Sequence, residues 1–345
     1  MSFKNGTGIV ADAVKEVEKK YELIPVSNRL FRIKALRDFG DVKKRDLGGF
    51  IQKEENLSQF GDCWVYDMAR VYDNAHVCGN AKIKDNACVF DLAMVGEDAI
   101  ISGAAIIRDQ ATVRGYADVS NRAYVRGEAE VNGKAIISNY ACIDEKAQIT
   151  GNAIVKDRAY VGGQAIITGN AILKDSQNIE GYAVVTIDLS KNLKENIRCQ
   201  TGLCPIGDYV IAYKEVNSDL TSNYDKNFKY EVGKWAEIDY ENQLKIFWEH
   251  NNQLCPTPSS FEEMVEIDKI DPCSVGLHFS NATYWNSIMY DKNNVIMYTK
   301  NGTITKKVSS TMLIARINLD DIITVQAGKI RCKRAYIMDS YKINY

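Results

Sequence analysis

The side chains best suited to chemistry cluster near the C-terminus, in Cys273-Ser-Val-Gly-Leu-His278-Phe279-Ser280, followed by Ala282 and Tyr284. An imidazole flanked by aromatic rings and a hydroxyl, in a region that also carries Trp235, Trp248 and Trp285, has the mixed polar and aromatic character of small-ligand pockets. The candidate ligand-binding set is Tyr213, Lys214, His278, Ser280 and Tyr284, with Tyr213-Lys214 on an earlier strand included by a resemblance given below. Two other roles compete for His278. It could join Cys255, Cys273 and Cys332 as a zinc ligand, although no paired spacing marks such a site, or sit in the core with its ring bonded to a backbone carbonyl. His76 is a second imidazole of interest, as a general base, but the surrounding sequence runs through it without an inserted loop that would build a pocket. Nearer the N-terminus Asp38, Asp41 and Asp46 stand with Arg37, Lys43 and Lys44, residues suited either to a charged site or to turns. No residue is assigned a catalytic role, no metal ligands are assigned, and no cofactor is expected.

These residues are positioned by a repeat. From Val65 to Val184 a six-residue pattern recurs without a gap for about twenty copies. Its first position is aliphatic, from Val65, Val71 and Val77 through Leu173 and Ile179. Its fifth is Ala except at Gln177, and its third is Gly, Asp, Asn or Glu, residues that tolerate tight backbone corners. A six-residue period fits neither a helix nor an alternating strand. It fits a parallel β-helix with three short strands per coil, the aliphatic residue filling the interior and Ala fitting beside it near the corner. Three hexads per coil give six to seven coils and a rigid prism roughly 30 Å long. Stacking at eighteen-residue intervals then lines up Ile100, Asp118, Ile136, Ile154 and Ile172 on one outer face and Arg108 over Arg126 on another, with Arg114 flanking from the third. An aliphatic ladder in water argues for a cover, either another subunit or the C-terminal domain, so Ile100, Ile136, Ile154 and Ile172 are the candidate interface. The arginines suit a phosphate or an acidic partner, or plain pairing with the acidic residues near them.

The expected organisation is a mainly β chain: an N-terminal helix and cap over residues 1–64, the β-helix over 65–185, a linker over 186–199 and an α+β domain over 200–345. Residues 8–20 have amphipathic helical spacing, and the apolar runs Tyr21 to Val26 and Leu30 to Leu36 flank Ser27-Asn28 as a hairpin does. Such a cap is physically required, because the end of a β-helix exposes unpaired backbone groups. In the C-terminal domain Tyr209 to Val216, Leu313 to Ile317, Ile322 to Val325 and Ile330 to Met338 are expected strands. Ser260-Phe-Glu-Glu263 has the form of a capping box opening a helix, and Asn301-Gly302 that of a hairpin turn.

Copies such as Val71-Tyr-Asp-Asn-Ala-His76 and Ile149-Thr-Gly-Asn-Ala-Ile154 resemble the hexapeptide family of left-handed β-helices, and this resemblance implies the left hand and a trimer. The leader Ala35-Leu-Arg-Asp-Phe-Gly-Asp-Val-Lys43, with Asp46-Leu-Gly-Gly49, Asn56-Leu-Ser58 and Gly61-Asp-Cys-Trp-Val65, resembles that of a phage and prophage family in which the leader runs straight into such repeats. Many hexapeptide-repeat proteins are acyltransferases with a histidine base beside an interrupting loop, and the loop is missing around His76. The Gly276-Leu-His-Phe-Ser280 segment, with Tyr290 downstream, is remotely similar to the central motif of ADP-ribosyltransferase folds, which hold NAD between a first-strand residue and that segment. Lys329, Arg331 and Lys333 stand where such enzymes place a late glutamate. Together the resemblances imply a phage-encoded, non-enzymatic binding protein for a nucleotide-like ligand or a host protein, acting in counter-defence. An ADP-ribosyltransferase-like enzyme and a hexapeptide acyltransferase are the alternatives.

The totals are those of an ordinary soluble chain: 345 residues with a formal net charge of −2. That balance provides no global attraction to nucleic acid or to an acidic membrane, so a nucleic-acid or membrane partner is not expected. No signal-peptide h-region and no transmembrane-length segment is read, which makes the cytoplasm the expected compartment. Nine cysteines without CxxC spacing are expected to be reduced thiols.

Overall fold

The computed structural model describes residues 19–27, 29–223, 225–251, 275–282, 284 and 309–344. The capping-box helix from Ser260, the Asn301-Gly302 hairpin, nearly all of the helix expected over residues 8–20, and Cys255, Cys273, Trp285 and Tyr290 lie outside the described residues. The chain is mainly β: a parallel β-solenoid of about eight turns followed by a separate antiparallel-sheet domain.

Each hexad forms one two-residue strand and one corner. The strands stack on three faces, seven deep on two of them. The register is eighteen residues, as in Ile100 beside Asp118 and Ile136 beside Ile154. Every third-position residue from Asp67 to Gly181 has a positive φ, between 50° and 72°. This is the left-handed region, where a Cβ is costly. At the acidic corners the side chain offsets that cost by accepting an otherwise unpaired corner amide from the next coil. Asp85 accepts from Gly103 N at 2.7 Å, Asp109 from Gly127 N at 3.0 Å and Glu97 from Gly115 N at 3.0 Å. The aliphatic and Ala positions fill an interior that is at most 1% exposed from Val65 to Leu173.

At the N-terminal end the strands Tyr21–Ser27 and Leu30–Ala35 form the expected antiparallel hairpin. Leu47–Ile51 pairs antiparallel with the second of them and parallel with Arg70–Val71, so the hairpin extends one solenoid face. Residues 47–63 thus make an irregular first turn. Ile51 pairs with Val71 and Leu57 with Val77, an offset of twenty residues, whereas Trp64 pairs with Lys82 at the regular eighteen. The Trp64 ring plugs the interior here, edge-on to Tyr21 and Phe39 at centroid distances of 6.1 and 5.3 Å. Lys20 is also buried, its ammonium donating to the Cys63 carbonyl at 3.0 Å and lying 3.3 Å from the Cys63 thiol. Burial lowers the Lys20 pKa and raises that of Cys63.

Residues 186–199, read as a linker, are partly helical. Helix α1, Leu193–Thr201, is N-capped by Asn192, whose side chain accepts from Glu195 N at 3.0 Å, and it ends at Gly202 with φ 69°. The C-terminal domain has a four-stranded antiparallel sheet in the order Tyr209–Asn217, Ser309–Asn318, Arg334–Asn344, Trp235–Glu237. A three-stranded sheet runs Leu277–Phe279, Lys329–Cys332, Ile322–Gln326. Helix α2, Tyr240–Asn251, follows the short strand Trp235–Glu237. The single strand expected over Ile330 to Met338 is two strands in different sheets. The chain breaks at Lys333, whose amide turns away to the Asp321 carbonyl at 2.8 Å. No helix among the described residues is long and apolar enough to cross a membrane.

Candidate functional site

The structure brings together two of the pieces singled out in the sequence. Tyr213 and Ser280 exchange backbone bonds of 2.7 and 2.9 Å, which join the two sheets of the C-terminal domain. Beside that bridge the Lys214 ammonium donates to the His278 carbonyl at 3.1 Å and lies 5.9 Å from the centroids of both Tyr230 and Phe279. Only 3% of Lys214 is exposed, and burial pushes its pKa down to about 8. Ser280 is wholly buried and its hydroxyl donates to the Gly328 carbonyl. His278 is half-buried on a strand register opposite Arg331. Lys214 and Ser280 are therefore closed off from solvent. Tyr284 faces outward from this cluster: its amide donates to Asn281 Oδ1 at 2.6 Å, and its ring packs against Gly328.

Tyr284 lines a cleft of about 630 Å³ between the solenoid and the C-terminal domain. One wall is the last coil, with Asn178, Glu180, Gly181, Ala183 and Val184. The second is the end of α1 from Arg198 to Gly202, and the third is Asn281, Tyr284 and Gly328. Gln200 fastens the walls together. Its carbonyl accepts from Asn178 N at 3.1 Å, and its amide donates to Asn196 at 2.6 Å and to the Val325 carbonyl. A further bond, Ala327 N to the Ser176 carbonyl at 3.2 Å, ties the domain to the solenoid. Gln177, where the repeat loses its Ala, stands at this junction. Its amide lies 3.4 Å from Asn196 of α1, so the polar substitution matches a helix packed on the coil.

The cleft mixes charge, amides and one aromatic ring. Arg198 is held by Glu195, a pairing that lowers the Glu195 pKa and raises that of the guanidinium. Burial holds the Cys199 thiol up at about 12, so it is protonated at neutral pH and is no thiolate nucleophile. The buried Oδ1 of Asn178 has no hydrogen-bond partner among the described residues.

The other candidates have simpler settings. His76 is half-buried, its Nδ1 2.7 Å from the Glu55 carbonyl. Arg126 pairs with Asp144 at 2.6 Å, Arg114 with Glu130 and Arg108 with Asp109 at 3.7 Å, so the arginine ladder is paired along the coil surface. Asp38 and Asp46 accept the amides of Lys44 and Lys43 at 2.8 and 2.7 Å as turn residues do, and Asp41 receives Tyr66 and Lys82 at 2.7 and 2.9 Å. Ile100, Ile154 and Ile172 are half-buried in their column and Ile136 is 41% exposed. Cys332 is fully buried, and among the described residues no cluster of three His, Cys, Asp or Glu side chains could hold a metal.

Sequence reasoning overlooked Asn178, Glu180, Arg198, Gln200 and Asn281. The available signal was Gln177, which marks where something polar must meet the coil. No protein-family model and no curated protein matches the chain. Fold and geometry alone therefore define its class, a capped parallel β-solenoid carrying an antiparallel α+β domain on its C-terminal end.

Proposed function

We propose that the chain is a non-enzymatic binding protein, in which the solenoid is a rigid scaffold and recognition takes place where the C-terminal domain meets it. The observation that carries this reading is the junction cleft, a recess lined by side-chain amides, a guanidinium and a tyrosine ring. The solenoid, by contrast, runs without an inserted loop through more than a hundred residues. The leader resemblance supports a phage or prophage origin, and with it the host cytoplasm as the compartment. Its partner is a nucleotide-like ligand or a host protein, and counter-defence is its process. The isoleucine column, with Ile136 the most exposed member, supports a homo-oligomer, with a trimer preferred by resemblance.

The ADP-ribosyltransferase-like enzyme is the alternative: the Tyr213–Ser280 bridge brings a first-strand residue beside the His278 segment, although in a seam that is closed to solvent. The two readings separate in one experiment. Purified full-length protein is incubated with a nucleotide panel and with host-cell proteins, and the ligand is recovered and analysed. Retained, unaltered ligand whose binding falls at least tenfold in Tyr284→Ala or Arg198→Ala supports the binding reading. A chemically altered nucleotide or an ADP-ribosylated protein supports the enzyme. Binding that ignores both substitutions removes the cleft as the site.

A further inference from the structure

We propose that the open strand edge of the last coil is a docking site for an extended peptide segment of another protein, which adds in parallel register as one more coil. This rests on the cleft being the recognition site and names the class of partner it takes. In each complete coil alternate amides donate to the coil that follows. Gly162 donates to the Ile179 carbonyl at 2.9 Å, Gln164 to Gly181 at 2.7 Å, Ile166 to Ala183 at 2.8 Å and Thr168 to Val185 at 2.9 Å. One coil later the equivalent amides belong to Glu180, Tyr182, Val184 and Thr186, and none of them has an acceptor among the described residues. The same row is closed at both of its ends. Gln200 caps the Asn178 amide, and on the adjoining face Asp188 bridges to Ile172.

The corner glycines mark the vacancy independently. A Cβ at Gly133 or Gly151 would stand 2.8 Å from the backbone nitrogen of the next coil, whereas one at Gly181 would meet nothing within 4 Å among the described residues. Four donors at two-residue spacing, bent around a corner, ask for carbonyls at that spacing, and an extended polypeptide supplies them. A small ligand engages one or two such donors and leaves the rest. A second copy cannot stack end to end as the continuing coil, because its own first turn is already covered by the hairpin Tyr21–Ala35. The incoming segment therefore carries Gly, Asn or Asp at its corner, since the corner conformation is left-handed. It carries small residues on its inward side, where Ala183 and Cys199 already close the core.

The test uses the full-length chain and a displayed library of short random peptides. Selected peptides are measured by calorimetry against wild type and Val184→Pro, a substitution that removes one open donor and breaks no hydrogen bond among the described residues. Hydrogen exchange on wild type, free and peptide-bound, needs no variant. The expected result is peptides with a small corner residue that bind about tenfold or more weakly to Val184→Pro and slow exchange at residues 180, 182, 184 and 186. Peptides that bind both proteins equally, or that protect another surface, overturn the proposal. A nucleotide that binds through the cleft while the edge amides still exchange also overturns it, and leaves the cleft standing as the recognition site. Binding of neither peptide nor nucleotide removes both.

Discussion

The two ends of the solenoid face the same physical problem and solve it to different degrees. At the N-terminal end the exposed edge is met by a hairpin and an irregular turn, and the interior is stoppered by Trp64, Tyr21 and Phe39. At the C-terminal end α1, Leu189 and Gln200 close the interior and part of the edge, and four amides from Glu180 to Thr186 are left without acceptors among the described residues. An uncovered strand edge invites pairing with other chains, and this protein closes one end against it. The other end opens into a walled cleft, and on the proposed reading a pairing segment has to fit beside Tyr284 and Arg198.

The largest expected effect separates inside from outside within one strand. Ile137 is wholly buried and Ile136 is 41% exposed. Ile137→Asp places an unpaired charge in the interior and should cost about 4 kcal/mol or more. Ile136→Asp with Ile154→Asp should leave β structure and melting nearly unchanged while abolishing self-association in sedimentation. Unchanged mass would remove the isoleucine column as the interface.

Trp64→Ala should come next, costing about 3–5 kcal/mol through the cavity it opens, with exchange rising first among residues 20–60. A loss confined to the C-terminal end would contradict the role of that ring as the stopper. Proline then compares a filled ladder with an empty one. Ile166→Pro removes a bond that Ile166 makes to Ala183, at a cost of about 3 kcal/mol, whereas Val184→Pro should shift chemical-denaturation stability by less than about 1 kcal/mol. Equal losses would mean that the Val184 amide is already engaged.

The smallest effect tests the closed interior of the C-terminal domain. Lys214 titrates near 8 in the folded chain against an ordinary lysine value of 10.5. Between those values the unfolded chain holds the proton and the folded chain does not, so stability rises with pH. Burial raises the Cys332 thiol above its ordinary 9.0 and acts in the opposite sense above that pH. The clean window is therefore about pH 8 to 9, where stability should rise by at most about 1.4 kcal/mol per pH unit. Lys214→Met should flatten that rise in denaturation measured across the window.

The solenoid was legible because each of its interactions repeats. The third-position residues account for every positive φ within the hexads, and the eighteen-residue spacing alone puts Ile100, Ile136, Ile154 and Ile172 in one column. The junction was not legible for the opposite reason. Gln200 reaches both Asn178 and Val325, and Lys333 breaks its strand by bonding Asp321, contacts between residues that no local period relates. The helical N-cap Asn192 followed by Glu195 is a readable signal within residues 186–199. The set at Tyr213, Lys214, His278 and Ser280 did converge in space, on a buried seam between sheets.

The most direct test of the central claim, that recognition belongs to the unfinished end of the solenoid, is amide hydrogen exchange over the whole chain, free and with its bound partner. In the free protein the amides of residues 162, 164, 166 and 168 should exchange slowly and those of 180, 182, 184 and 186 quickly. Partner binding should slow the second group along with Asn281 and Tyr284, and leave the hairpin Tyr21–Ala35 and the arginine column unchanged. Protection appearing instead on the solenoid faces, with the terminal edge still exchanging freely, would contradict the account.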